Sequence, residues 1–147
     1  MHRWAVVLIP FLFALADTTA TRGQTIWCQD ISGNTTWTAA SSPYHVTCDV
    51  RVGGSNTTLT IEPGVEVHFA SVTGLTVGSD DGPTRVGALQ AVGTSSQPIL
   101  FTSLSGLEGD WEGIHFGDES DMGTVNSLLE YCIVEKGGQG VYPANIY

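Results

Sequence analysis

Two carboxylates flank a tryptophan in the string Gly109-Asp110-Trp111-Glu112-Gly113. Two carboxyl groups beside an aromatic ring suit a sugar-cleaving site, with one as general acid and the other as general base. In a strand, Asp110 and Glu112 are two residues apart and share a face. The string equally fits a polar corner with a packed tryptophan, which we favour because a short motif is weak without context. We therefore assign no catalytic residues and keep Asp110 and Glu112 as candidates.

The segment Asp118-Glu119-Ser120-Asp121 is the best candidate for a metal site. Hard oxygen ligands on a loop suit Ca²⁺, which makes Asp118, Glu119 and Asp121 the candidate ligands. The segment lacks the Gly-Gly-x-Gly-x-Asp repeat of calcium-binding β-rolls. A run of acidic residues is most often a solvated surface. We predict no metal or other cofactor, with Ca²⁺ as the alternative.

The remaining chemistry-bearing residues form no motif in the sequence. His45, His68 and His115 are isolated and are predicted to be structural. The chain carries 5 basic and 15 acidic side chains, for a net charge of −10. This charge disfavours nucleic acids and anionic lipids, whose recognition depends on basic residues. It would also repel an acidic polysaccharide.

The three cysteines are predicted to have different roles. Cys28 and Cys48 both precede the repeated part of the chain, and we choose them as the disulfide pair of an exported protein. Cys132 lies in the apolar run from Leu128 to Val134. It is therefore predicted to be a small buried hydrophobic residue rather than a nucleophile.

The N-terminus has the form of a secretory signal peptide. Arg3 precedes an apolar segment from Ala5 to Ala16, which ends in the small-x-small string Ala14-Leu15-Ala16. This segment is shorter than the about 20 apolar residues that span a bilayer. We predict a signal peptide over 1–16, a secreted or cell-surface location, and no membrane span in the mature chain.

The stretch from Thr58 to Ser103 contains the same pattern twice. Each copy has an alternating apolar run, a glycine turn and a second run that ends in Phe, which is typical of a stacked-coil protein. The predicted core rows pair Leu59 with Leu89 and Phe69 with Phe101, at offsets of 30 and 32 residues. The predicted core residues are Leu59, Ile61, Val67, Phe69, Leu89, Ala91, Ile99 and Phe101.

The chain resembles a known family of repeat proteins in the content and order of five strings. They are Leu-Thr-Ile-Glu-Pro-Gly-Val at 59–65, Ala-Val-Gly-Thr at 91–94, Pro-Ile-Leu-Phe-Thr-Ser at 98–103, Gly-Asp-Trp-Glu-Gly-Ile at 109–114 and Leu-Glu-Tyr-Cys at 129–132. They are similar to the signature strings of bacterial right-handed parallel β-helix repeat proteins. The resemblance, from about Tyr44 to Gly138, implies an all-β solenoid of about three coils on the cell surface or outside the cell. We expect an N-terminal cap over 17–44 and coils over 45–147.

Two functions are compatible with these features. We favour a non-catalytic secreted or surface scaffold, adhesive or carbohydrate-contacting, whose partner is a polysaccharide or another cell-surface ligand. The alternative is the N-terminal part of a polysaccharide lyase or glycoside hydrolase whose active groove lies in further coils. The segment 141–147 resembles the start of another coil. We therefore expect either a longer parent protein or self-association through this open end.

Overall fold

The protein is built from β-strands. The computed structural model describes residues 23–79, 85–120, 122–139 and 144–147, so the expected signal peptide lies outside the described residues. Within these ranges the regular elements are twelve strands and two single 3₁₀ turns, Ala39–Ser41 and Asp118–Ser120. Among the described residues there is no helix with the length and apolar character of a membrane span.

The strands form three sheets, in which every pairing between neighbouring strands is parallel. Sheet A contains β1 (Thr25–Trp27), β3 (Tyr44–Val46), β6 (Glu66–Phe69), β9 (Ile99–Ser103) and β12 (Cys132–Val134). Sheet B contains β4 (Val50–Val52), β7 (Gly74–Val77) and β10 (Gly113–Phe116). Sheet C contains β2 (Thr35–Trp37), β5 (Thr57–Ile61), β8 (Gly87–Val92) and β11 (Leu128–Glu130).

From β3 onward the chain visits sheets A, B and C in rotation. Each return to a sheet adds a strand beside the previous one, with its backbone hydrogen-bonded in register. The first passage follows the same order. Ile31, which lies between β1 and β2 in the chain, forms a parallel bridge to Val52 of β4 in sheet B. The corner at Pro63-Gly64 between β5 and β6 uses a glycine at φ 77°, a conformation that side-chain-bearing residues rarely adopt.

The core lies between the three sheets and is formed by alternate residues of each strand. All eight side chains predicted for the core are buried, with at most 1% of their surface exposed. Leu59 lies directly opposite Leu89, and Ile61 opposite Ala91. Burying one such aliphatic side chain stabilises the fold by roughly 1.5–3 kcal/mol. In-register stacking of apolar side chains therefore accounts for much of the stability.

In sheet A, the register between β6 and β9 does not pair Phe69 with Phe101 as expected. Phe69 lies opposite Ser103, and Phe101 lies opposite Val67. The expected offset was 32 residues, whereas the pairing of Val67 with Phe101 sets it at 34. Because side chains alternate between faces with a period of two, this shift keeps both phenylalanines inside the core. Phe69 instead stacks on Trp111, with ring centroids 4.2 Å apart and planes 7° apart.

Two apolar runs fold with more corners than their patterns indicate. Apolar residues alternate with polar ones from His45 to Val52, a pattern that predicts one strand, but this run is divided between β3 and β4, which belong to different sheets. The run from Leu128 to Val134 is interrupted at Tyr131, which has a φ of 49° and separates β11 from β12. Within the predicted cap, β1 belongs to sheet A and β2 belongs to sheet C.

Candidate functional site

A shallow groove with uncharged walls runs across the outer face of sheet C. Along β2, β5 and β8 the inward residues are buried, so the alternate residues face outward. Thr36 lies opposite Thr60, which lies opposite Gln90, and these three side chains form a polar row across the strands. The groove has a volume of about 380 Å³ and is lined by Asn34, Thr35, Thr36, Thr58, Thr60, Gln90 and Val125.

The segment that follows the second 3₁₀ turn contributes Val125 to this groove. The Gln90 side-chain amide donates a hydrogen bond to the carbonyl oxygen of Asn126. The backbone N–H of Leu89 donates to the Ser127 hydroxyl at 3.1 Å. The hydroxyls and amides of the lining donate and accept hydrogen bonds without carrying charge. This surface is therefore suited to a neutral, hydroxyl-rich ligand.

Asp110 is held in a cluster of serine hydroxyls. The hydroxyls of Ser103 and Ser105 each donate to its Oδ2 at 2.7 Å. These two bonds lower the pKa of Asp110, and a further hydrogen bond from Ser71 lowers it more, although partial desolvation acts in the opposite direction. The buried Ser103 hydroxyl also accepts the N–H groups of Ser105 and Gly106. Asp110 therefore closes the turn that follows β9.

Glu112 lies in a different environment. Burial raises the pKa of its carboxyl, and the nearby negative charge of Asp49 raises it further. Between the two carboxylates, Trp111 is fully buried, and its Nε1 donates to the Glu135 carbonyl oxygen at 2.9 Å. A fully buried indole cannot stack on a sugar. The geometry around Trp111 is that of a packed corner between strands.

The acidic segment is only partly a solvated loop. Asp118 is exposed, but Glu119 is 6% exposed and its N–H donates to the Ser79 carbonyl oxygen at 3.2 Å. Burial of Glu119 therefore corrects the expectation of a solvated run. Asp121 lies outside the described residues. Within the described ranges, no group of three or more His, Cys, Asp or Glu side chains is arranged to hold a metal ion.

The cysteines occupy two environments. Cys28 and Cys48 form a disulfide across 20 residues of chain, with their Cα atoms 5.1 Å apart. The bond ties the residue after β1 to the corner after β3. Cys132 is a free thiol at the start of β12 that packs against the core. Burial raises the pKa of Cys132, which keeps the thiol protonated and weakly nucleophilic.

Two histidines that are isolated in the sequence meet in the structure. His45 of β3 lies directly opposite His68 of β6, and their rings stack with centroids 5.4 Å apart. His68 Nε2 is 3.1 Å from Glu66 Oε2. Burial lowers the pKa of His45, and the neighbouring His68 lowers it further. His115 lies on sheet B, where its ring stacks on Tyr147 at 4.8 Å.

Neither the polar row on sheet C nor the histidine pair was predicted from the sequence. The outward position of each residue was readable from the alternation of its strand. Which outward residues become neighbours depends on the number of residues in each turn of the chain. That number varies: Tyr44 pairs with Val67, but Val67 pairs with Phe101, so successive offsets are 23 and 34 residues.

No protein-family model, curated protein or solved structure matches this chain.

Proposed function

We propose that the protein is an exported, non-catalytic scaffold, folded as a right-handed parallel β-helix, that binds a neutral polysaccharide along the groove of sheet C. The single observation that carries the binding proposal is the uncharged polar row of Thr36, Thr60 and Gln90 across three strands. A row of hydroxyls and amides matches the donors and acceptors of successive sugar units.

The rotation of the chain through sheets A, B and C supports the β-helix part of the proposal. Parallel strands connected in this way need a crossover between one strand and the next in the same sheet. Such crossovers are right-handed in the great majority of proteins. Each passage buries its apolar side chains only against its neighbours, as in other solenoids.

The charge of the protein supports a neutral ligand over an acidic one. The chain carries a net charge of −10, whereas the groove itself is lined by uncharged side chains. An acidic polymer would be repelled by the protein as a whole. Export is supported by the Cys28–Cys48 disulfide, since such bonds persist in oxidising compartments.

The experiment is a binding survey with neutral and acidic polysaccharides, using affinity electrophoresis followed by calorimetry on any ligand found. The test variant is the double substitution Thr36→Ala and Thr60→Ala, which removes two paired, exposed hydroxyls from the groove. Each hydrogen bond contributes about 0.5–1.5 kcal/mol, so we expect roughly a tenfold loss of affinity. The control is Thr76→Ala, which removes an outward hydroxyl from sheet B.

Three results would overturn the proposal. The first is binding to acidic polymers alone or to no polysaccharide. The second is equal affinity loss in the sheet B control. The third is release of reducing ends from the bound polysaccharide, abolished by Asp110→Asn or Glu112→Gln, which would establish an enzyme and return these carboxylates to a catalytic role.

A further inference from the structure

The histidine pair on the outer face of sheet A is independent of the proposed groove. Tyr44, Val46, Val67 and Phe69 point inward and are buried, so the intervening His45 and His68 face outward. Neighbouring strands lie about 4.8 Å apart, which brings directly opposed side chains together. The imidazole rings are nearly parallel, with an angle of 19° between their planes.

Glu66 determines which nitrogen of His68 is free. Its Oε2 is 3.1 Å from Nε2 of His68. An ionised carboxylate can only accept a hydrogen bond, so Nε2 must carry the proton. The lone pair of His68 is therefore on Nδ1. A histidine whose second nitrogen donates to a carboxylate is the usual arrangement around protein-bound metals, because the carboxylate orients the ring and makes it more basic.

The neighbours of the pair leave its lone pairs available. On one side, His45 lies opposite Ile26 of β1, which has no titratable group. On the other side, His68 lies opposite Thr102 of β9, whose hydroxyl donates to Glu135 at 3.0 Å. The His68 side chain is 24% exposed, so solvent reaches the pair.

We propose that His45 and His68 together bind one divalent transition-metal ion, such as Zn²⁺ or Cu²⁺, with Glu66 as a positioning residue. Imidazole suits these ions, whereas Ca²⁺ and Mg²⁺ prefer oxygen ligands. Each metal–nitrogen bond is about 2.0–2.1 Å long, so binding one ion requires the two rings to tilt out of their stack until one nitrogen of each ring lies at this distance from the ion. Water completes the coordination, so the site needs only two ligands from the protein.

The test is a calorimetric titration of the tag-free protein with ZnCl₂ and with CuCl₂. Cys132→Ser is introduced in every sample, because a free thiol also binds these ions. We expect one ion per chain, bound more tightly for Cu²⁺ than for Zn²⁺. His45→Asn and His68→Asn should each lower the affinity at least about tenfold, and Glu66→Gln by about tenfold through the loss of its orienting hydrogen bond.

His115→Asn is the matched control, since it removes a stacked histidine from a different sheet. The affinity of this variant for each metal ion should equal that of the parent protein. Thermal unfolding in EDTA checks that each variant folds, and added Zn²⁺ should raise the midpoint of the parent but not of His45→Asn. Unchanged affinity in both His45→Asn and His68→Asn, or a loss confined to His115→Asn, would overturn the proposal.

Discussion

Replacing Trp111 by Phe tests whether the Gly-Asp-Trp-Glu-Gly string is a structural corner. The Phe ring can still stack on Phe69, but it cannot donate to the Glu135 carbonyl as Trp111 does at 2.9 Å. Leaving the carbonyl of this partly buried hydrogen bond without its donor lowers the free energy of unfolding by about 1–3 kcal/mol. The smaller ring also leaves a gap in the core, which lowers the free energy of unfolding by about 1 kcal/mol more. We therefore expect the free energy of unfolding to fall by about 2–4 kcal/mol.

The assay is urea unfolding followed by far-ultraviolet circular dichroism, because the substitution removes a fluorophore. With a denaturant slope of roughly 1–3 kcal/mol per molar urea, a loss of about 3 kcal/mol lowers the midpoint by roughly 1–3 M. The matched control is Trp27→Phe. Trp27 Nε1 also donates to a carbonyl oxygen at 2.9 Å, that of Gln29, but this bond is exposed.

Water can replace the lost donor in the Trp27 variant, so its cost should stay below about 1 kcal/mol. Equal midpoint shifts for the two variants would refute the reasoning, because the burial of the Trp111 hydrogen bond would then have no energetic consequence. A Trp111→Phe protein that is as stable as the parent would reopen the interpretation of this string as a ligand site.

Three further predictions concern Glu112, Asp110 and the disulfide. The raised pKa of Glu112 means that its stabilising contribution is complete below the unfolded value of about 4.3 and is lost as the pH rises through the native pKa. Glu112→Gln should therefore have a higher thermal midpoint than the parent at pH 7, but not at pH 3.5. The lowered pKa of Asp110 has the opposite sign, so Asp110→Asn should be the less stable protein at pH 7, and the difference should shrink as acidification protonates Asp110. A pH-independent difference in either variant would contradict the assigned cause. Cys28→Ser should lower the free energy of unfolding by about 3 kcal/mol, because the disulfide closes a loop of 20 residues. The control Cys132→Ser should change the free energy of unfolding by less than about 1 kcal/mol. Equal shifts of the denaturant midpoint in the two variants would refute this assignment.

The β-rich fold and the buried side chains were predictable from local pattern. Alternation alone identified Leu59, Leu89 and the other predicted core residues as inward-facing, since a strand presents successive side chains to opposite faces. Which sheet each strand joins was less predictable. The run that includes Val46 and Val50 alternates without interruption, yet it turns a corner at Thr47 to Asp49 and enters a second sheet.

The sequence by itself determined which residues of the repeated strands point inward and that the chain is strongly acidic. These properties depend on each residue and its immediate neighbours. Only the tertiary structure decided that Phe69 stacks on Trp111 and that His45 meets His68. The physical reason is that lateral contacts depend on the register between successive passages of the chain. That register follows the length of every intervening loop, which alternation does not encode.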